Sequence, residues 1–191
     1  MVWLKSPAGE SDTLWQRFVI SLDSTIGTDK YTHGLGWGDV NKDGRNDVII
    51  KDGWWESPAD ITKTDWTFHK ADLGRDCANM FAWDVDKDSD QDIISSSAHD
   101  YGIWWYEQKQ NGTRNPAWAR HEISKRFSQS HALALVDMNS DGHPDLVTGK
   151  RYWAHNGKDP GEYEPCVLYW FEYKWGERLN GYPMRLITIQ E

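Results

Sequence analysis

Long apolar runs are missing from this 191-residue sequence, and so are windows with the spacing of a long amphipathic helix. Those absences set aside membrane-spanning and helical-bundle architectures. Cysteine is scarce: Cys77 and Cys166 are too few for a disulfide scaffold and read as two free thiols, with a single bridge as the alternative. Positive charge is short as well. Twenty-one Lys and Arg against 30 Asp and Glu leave a net charge of −9, with no basic stripe of the kind nucleic acid requires. Neither a secretory leader nor a low-complexity linker is visible, but Met1 falls inside a repeat, so the missing leader excludes nothing.

What the sequence does contain is acidic, local and repeated. "DVNKDGRNDV" places Asp39, Asn41 and Asp43 at positions 1, 3 and 5 of a loop, Gly44 at 6 and Asp47 at 9. Hard cations such as Ca²⁺ take six to eight oxygens, and this spacing offers them. An EF-hand would need a bidentate Glu at position 12 between two helices, whereas position 12 is Ile50 and the flanks are short β-branched runs. The pattern recurs in "DVDKDSDQDI" (Asp84, Asp86, Asp88, Asp90, Asp92) and "DMNSDGHPDL" (Asp137, Asn139, Asp141, Asp145). Ca²⁺ is therefore expected at three sites, completed by the position-7 carbonyls of Arg45, Asp90 and His143. The second loop has Ser89 where the turn wants Gly, a left-handed position that costs a non-Gly residue roughly 1 kcal/mol. Eleven of the acids lie in these loops, so the charge is ligand chemistry rather than a global property.

The repeat extends past the loops. "WQRFVI", "WTFHKA" and "WARHEI" share a leading Trp, and "VWLKSPA", "GWWESPA", "IWWYEQ" and "LYWFEY" form a second column. One unit reads strand, acidic loop, strand, loop, Trp-rich strand, turn, Trp-led strand. Four short strands in 45–50 residues, punctuated by 16 Gly and 7 Pro, mark a β-propeller blade. The expectation is a single all-β domain, a partial β-propeller of about three and a half four-stranded blades. Residues 1–22 supply the two outer strands of a first blade, and 33–73, 78–125 and 131–191 supply three blades with Ca²⁺ loops. Such a piece implies missing blades of a larger chain or edge-to-edge self-association. Seven of the 13 Trp fall in the two columns (Trp3, Trp54, Trp105, Trp170; Trp15, Trp66, Trp118) and are expected to pack between blades. Trp37, Trp83 and Trp153 stand outside them as candidates for a ligand face.

The motif D-x-[DN]-x-D-G-x-x-D between strands, in tandem, resembles the FG-GAP/VCBS repeats of Ca²⁺-binding propellers, including those of integrin α-chains and certain fungal lectins. A narrower likeness, carried by "SSSAHDYGIWWYEQ" and "SHALALVDMNSDGHPDLVTGKRYWAHN", is to bacterial VCBS-repeat proteins related to the propeller part of aldos-2-ulose dehydratase. The resemblance implies an extracellular or periplasmic location, which also suits loops that fill at millimolar calcium.

Blade topology places the start of the first strand and the loop after the second on one face, opposite the acidic loops. His33 and His131 both fall six residues before the first Asp of their loop, where the middle unit has Ala78. The same face receives His99, Asp100 and Tyr101, then Lys150, Arg151, Tyr152, His155 and Asn156. The four histidines named here, with Tyr101, Lys150, Arg151, Tyr152 and Asn156, are the candidate ligand-binding residues. His69 and His121, each three residues after a column Trp, are read as structural. Two function classes stand. The face binds a glycan or a protein with no chemistry, or it is the active site of a carbon–oxygen lyase of sugar-dehydratase type. In the second class His131, His155, His99 or Tyr152 is the base and Lys150 or Arg151 the cation that stabilises an enolate. A paired-carboxylate hydrolase is disfavoured because the Asp residues are committed to metal. No membrane insertion is expected. Asn111-Gly112-Thr113 also has the form of a glycosylation acceptor.

Overall fold

The computed structural model describes residues 1–9, 13–64, 66–109, 116–174 and, by backbone, 184–188. The Asn111-Gly112-Thr113 tripeptide lies outside the described residues, among which there are fourteen strands and no helix. Strands β1 (Val2–Lys5) and β2 (Gln16–Val19) form an antiparallel pair. Three four-stranded antiparallel meanders follow. The first is β3 (Leu35–Gly38), β4 (Asp47–Ile50), β5 (Gly53–Glu56) and β6 (Thr67–Lys70). The second is β7 (Asn79–Trp83), β8 (Asp92–Ser96), β9 (Tyr101–Lys109) and β10 (Ala117–Ser128). The third is β11 (Ser130–Val136), β12 (Asp145–Lys150), β13 (Leu168–Tyr173) and β14 (Met184–Thr188). Every acidic loop joins the first two strands of a meander. The chain is all-β, with the strand order of propeller blades.

The blades are not all separate sheets. β3 and β7, the innermost strands of the first two meanders, pair in parallel through Leu35–Asn79, Gly36–Met80 and Trp37–Phe81, giving one eight-stranded sheet. Gly36 and Gly38 make this possible. A Cβ on Gly36 would lie 2.6 Å from the Met80 carbonyl oxygen, and one on Gly38 2.5 Å from the Ala82 Cβ. At the next junction the inner strands carry bulkier residues, and side chains replace the backbone pairing. Leu133 N–H donates to Asn79 Oδ1 at 3.3 Å, and Ser96 Oγ to the Ser130 carbonyl at 2.8 Å.

Three apolar clusters fill the gaps between successive units. Ile20, Ile50 and Trp55 pack with Met1 and Trp3, so β1–β2 is buttressed by the first meander. Val40, Ile49, Trp54, Leu73, Met80, Ile93, Trp104 and Tyr106 fill the second gap. Val85, Ile94, Ile103, Trp105, Phe127, Leu146, Phe171 and Tyr173 fill the third. The paired aromatics of the third strands explain themselves by strand alternation: Trp55 faces one gap and Trp54 the next, and Trp104 and Trp105 repeat this one blade on. Each such ring buries about 150–250 Å², or about 4–6 kcal/mol at 25 cal/mol per Å². Of the second Trp column, Trp66 and Trp118 pack at these gaps but Trp15 is exposed. Cys77 is buried and Cys166 exposed, and neither is bridged. No described helix is long and apolar enough to cross a membrane.

Candidate functional site

The two ends of the blades differ in chemistry, and non-Gly residues with left-handed backbone mark both. Among the described residues all eight lie either in the acidic loops (Lys42, Lys87, Ser89, Ser140) or on the opposite face (Gln129, Trp153, His155, Asn156). Such positions cost of order 1–3 kcal/mol each and persist where the surroundings impose them.

At the first end the three loops share one backbone. Position 4 is left-handed in each (Lys42, Lys87, Ser140), and so is position 6 (Gly44, Ser89, Gly142), where Ser89 adopts φ 80° against 86° and 87° for the glycines. Position 9 is a clamp. Asp47 receives the Val40 N–H at 3.0 Å and the Ser57 N–H at 2.9 Å on separate oxygens. Asp92 does so with Val85 and Gln108, at 3.0 and 2.8 Å, and Asp145 with Met138 and Tyr173, at 3.1 and 2.9 Å. All three carboxylates are fully buried and tie their loop to the end of the blade's third strand. Burial pushes Asp47 up to about 6 and Asp92 to about 7, although these hydrogen bonds pull the other way.

The loop residues fit a hard cation, most clearly in the second loop. Asp84, Asp86 and Asp88 bring carboxylate oxygens within 4.8 Å of one another. Asp84 Oδ1 and Asp90 Oδ1 are buried with no hydrogen-bond partner. Burial and then repulsion from Asp88 push Asp90 up to about 6, and burial and the neighbouring Glu107 raise Asp86. Unsatisfied acceptors among crowded carboxylates are what a divalent cation relieves. In the first loop Asp39 accepts the Asp43 and Gly44 N–H groups, Asn41 Oδ1 accepts Asp43 N–H, and Asp43 Oδ1 accepts Arg45 N–H. Asp137, Asn139 and Asp141 repeat this around Gly142 and His143. Each oxygen keeps a further lone pair, so these turns hold the acceptors in place without exhausting them.

At the opposite end the sequence-predicted residues fall into two groups. His33, His99 and His131 converge. His33 Nε2 and His99 Nε2 are 2.6 Å apart, and the His131 ring centroid lies 5.4 Å from that of His33 and 5.9 Å from that of His99. The His155 ring lies 4.6 Å from that of His99, tilted by 30°. Burial lowers the pKa of both His99 and His131. Arg151 lies against this group, within 3.3 Å of His99 Nδ1 and hydrogen-bonded to Gln129 Oε1. The others turn elsewhere. Lys150 is buried, its Nζ donating to the carbonyls of Glu162 and Arg151 at 3.2 and 3.4 Å. Tyr101 Oη bonds Glu164, and Tyr152 and Asn156 are exposed. Of the three non-column tryptophans, Trp37 and Trp153 are exposed, whereas Trp83 packs edge-on against Tyr173 at 4.7 Å.

Sequence reasoning missed Asp159. It accepts from His155 at 3.0 Å, from Arg151 at 3.2 Å and from His99 at 3.2 Å. Burial alone would raise its pKa, but the two histidines hold it below the usual carboxylate range. It sits in the non-repeating connection between β12 and β13, where no register points to it. The second omission did have a signal. Glu56, Glu107 and Glu172 each follow a column Trp by two residues. Glu56 and Glu107 bind His69 and His121 at 2.7 Å, while those rings stack on Trp54 and Trp105. Glu172 instead accepts from Asn139 of the third loop at 3.1 Å.

In comparisons with known proteins, residues 84–148 match the family model of the FG-GAP-like repeat. The matched stretch opens at the first Asp of the second loop and runs through the whole of the third. No curated protein matches the chain, so the narrower likeness to aldos-2-ulose dehydratase gains no support.

Proposed function

We propose, on the premise that residues 84–148 are an FG-GAP-like repeat and that the first meander repeats its strand–loop pattern, that this propeller-type domain binds a glycan on the face opposite the acidic loops. Ca²⁺ holds the loops closed. The observation that carries the reading is an open cleft of about 670 Å³ bounded by Tyr31, Thr32, His33, Asp76, His99 and His155. Its size is that of a small-molecule site. Its lining offers fixed donors and acceptors, and Tyr31 on its rim is 78% exposed. Tyr152 and Trp153 are exposed on the connection that supplies Arg151 and His155. Flat rings beside polar groups suit a sugar, which has apolar C–H faces and hydroxyl edges. An extracellular or periplasmic setting, with millimolar calcium, suits the loops.

A titration of calcium-loaded protein with a panel of mono- and oligosaccharides, followed by NMR, tests this. The expected result is saturable shifts at His33, His99, Tyr31 and His155, with the sugar recovered unchanged. Shifts absent across the panel overturn the glycan reading. Conversion of a keto-sugar into an unsaturated product absorbing in the ultraviolet would instead assign the face to the carbon–oxygen lyase class.

A further inference from the structure

The nitrogens of the histidine cluster are aimed at one point. His33 Nδ1 lies 2.9 Å from the Cys77 carbonyl, which can only accept, so in the neutral ring Nδ1 carries the proton and Nε2 is bare. His99 Nδ1 lies 3.2 Å from the Asp159 carboxylate. Arg151 also approaches that nitrogen, at 3.3 Å, but its guanidinium is engaged by Asp159 and by Gln129 Oε1. His99 Nδ1 therefore keeps its proton and donates to the carboxylate, and His99 Nε2 is bare as well. Two lone pairs then face each other across 2.6 Å. That arrangement is repulsive until something positive sits between or beside them. His131 supplies a third nitrogen, and the three ligand atoms lie within 4.8 Å of one another.

We propose that His33, His99 and His131 form a three-histidine site for a first-row divalent transition metal, Zn²⁺ above all, at the mouth of the innermost strands. Imidazole selects such ions over Ca²⁺ or Mg²⁺, which take oxygen. Each ligand comes from a different meander: His33 just before β3, His99 from the β8–β9 connection, and His131 from β11. A metal here ties the inner rim together, as the acidic loops tie the opposite ends of single blades. With Zn–N near 2.0–2.1 Å, tetrahedral geometry separates nitrogens by roughly 3.3 Å. Binding then requires His33 Nε2 and His99 Nε2 to move apart from their 2.6 Å separation as the three rings close on one ion. The carbonyl of Cys77 and the carboxylate of Asp159 behind the rings are the partners that orient metal-bound histidines. His33 and His99 also line the open cleft, so a fourth position remains for water or a ligand oxygen. Asp159 offsets the charge of Arg151 beside the site, and Asp76 faces the cleft paired to Lys51 at 2.6 Å. The site lies on the proposed glycan face but rests on nitrogen geometry alone. A failed sugar titration leaves it standing, and a failed metal titration leaves glycan binding standing.

The experiment titrates the full chain, without a polyhistidine tag and with millimolar Ca²⁺ present, with Zn²⁺ by calorimetry and with Co²⁺ by visible absorption. The expected result is one saturable equivalent, with Co²⁺ bands of low-coordinate nitrogen ligation. His33→Ala and His131→Ala each weaken uptake by at least about tenfold, the least that loss of a supporting partner alone brings. His131→Gln and a calcium-dependent melting curve serve as controls for folding. Asp159→Asn, which leaves the three ligands in place, weakens uptake by about 10–100-fold. Absence of a saturable equivalent overturns the proposal, leaving a His33–His99 pair with a shared proton. So does uptake indifferent to His33→Ala and His131→Ala but lost in His155→Ala, which places the ion at His99, His155 and Asp159.

Discussion

Asp92 receives the N–H groups of Val85 and Gln108 on separate oxygens while fully buried, and Asp47 and Asp145 do the same in their blades. The closing Asp of the motif is therefore a backbone clamp, whereas Asp43 at position 5 is exposed and interacts within its own loop. Asp92→Ala strands two buried donors at about 1–3 kcal/mol each, so it is expected to lower stability by about 2–6 kcal/mol in urea melts, with or without chelator. Asp43→Ala is expected to matter only in calcium. Equal losses for both variants in chelator would contradict this division. The acidic positions of the loops were legible because they recur at fixed local spacing. The clamp was not, because its partners Ser57, Gln108 and Tyr173 sit a strand away and nothing in their side chains is required. Asp159 was hidden for a related reason: it is brought to His99 by a connection far longer than its counterparts in the other blades.

The seam between β3 and β7 turns two blades into one sheet, and it depends on the absence of side chains at Gly36 and Gly38. Gly36→Val is expected to force the strands apart at an overpacking cost of about 1–3 kcal/mol, seen as a lower urea midpoint at unchanged slope. No change in midpoint would mean the seam contributes nothing. Strand order and the acidic turns were readable from periodicity, and the paired Trp of the third strands from alternation. The merger was not readable, since inner strands lie side by side in any propeller and only their separation decides whether they bond. Lysines at position 4 of the loops add a second link between neighbours: Lys42 Nζ donates to the Ser89 carbonyl, and Lys87 Nζ lies 3.3 Å from His143 Nδ1.

Over the whole molecule, cation binding at the loops should appear as stability. A ligand at 100 times its Kd adds about 2.7 kcal/mol per site, so Ca²⁺ is expected to raise the melting temperature and chelator to lower it. The second loop should contribute most, because Asp84 and Asp90 hold unpartnered buried oxygens there. An identical melting curve in chelator would remove calcium from the account of this fold. The three blades also spend very different lengths of chain on the face away from the loops. Lys51 and Asp52 suffice between β4 and β5, Ser97 to Asp100 between β8 and β9, and Arg151 to Val167 between β12 and β13. The clamps lie at the other end, so insertions on this face leave each blade's own fastening untouched. The architecture thus separates what must be kept from what is available for change. A segment grafted in place of Lys51–Asp52 would leave the clamps alone, but it would have to supply again the carbonyls that accept the Ala71 and Leu73 N–H groups at 3.0 and 2.8 Å.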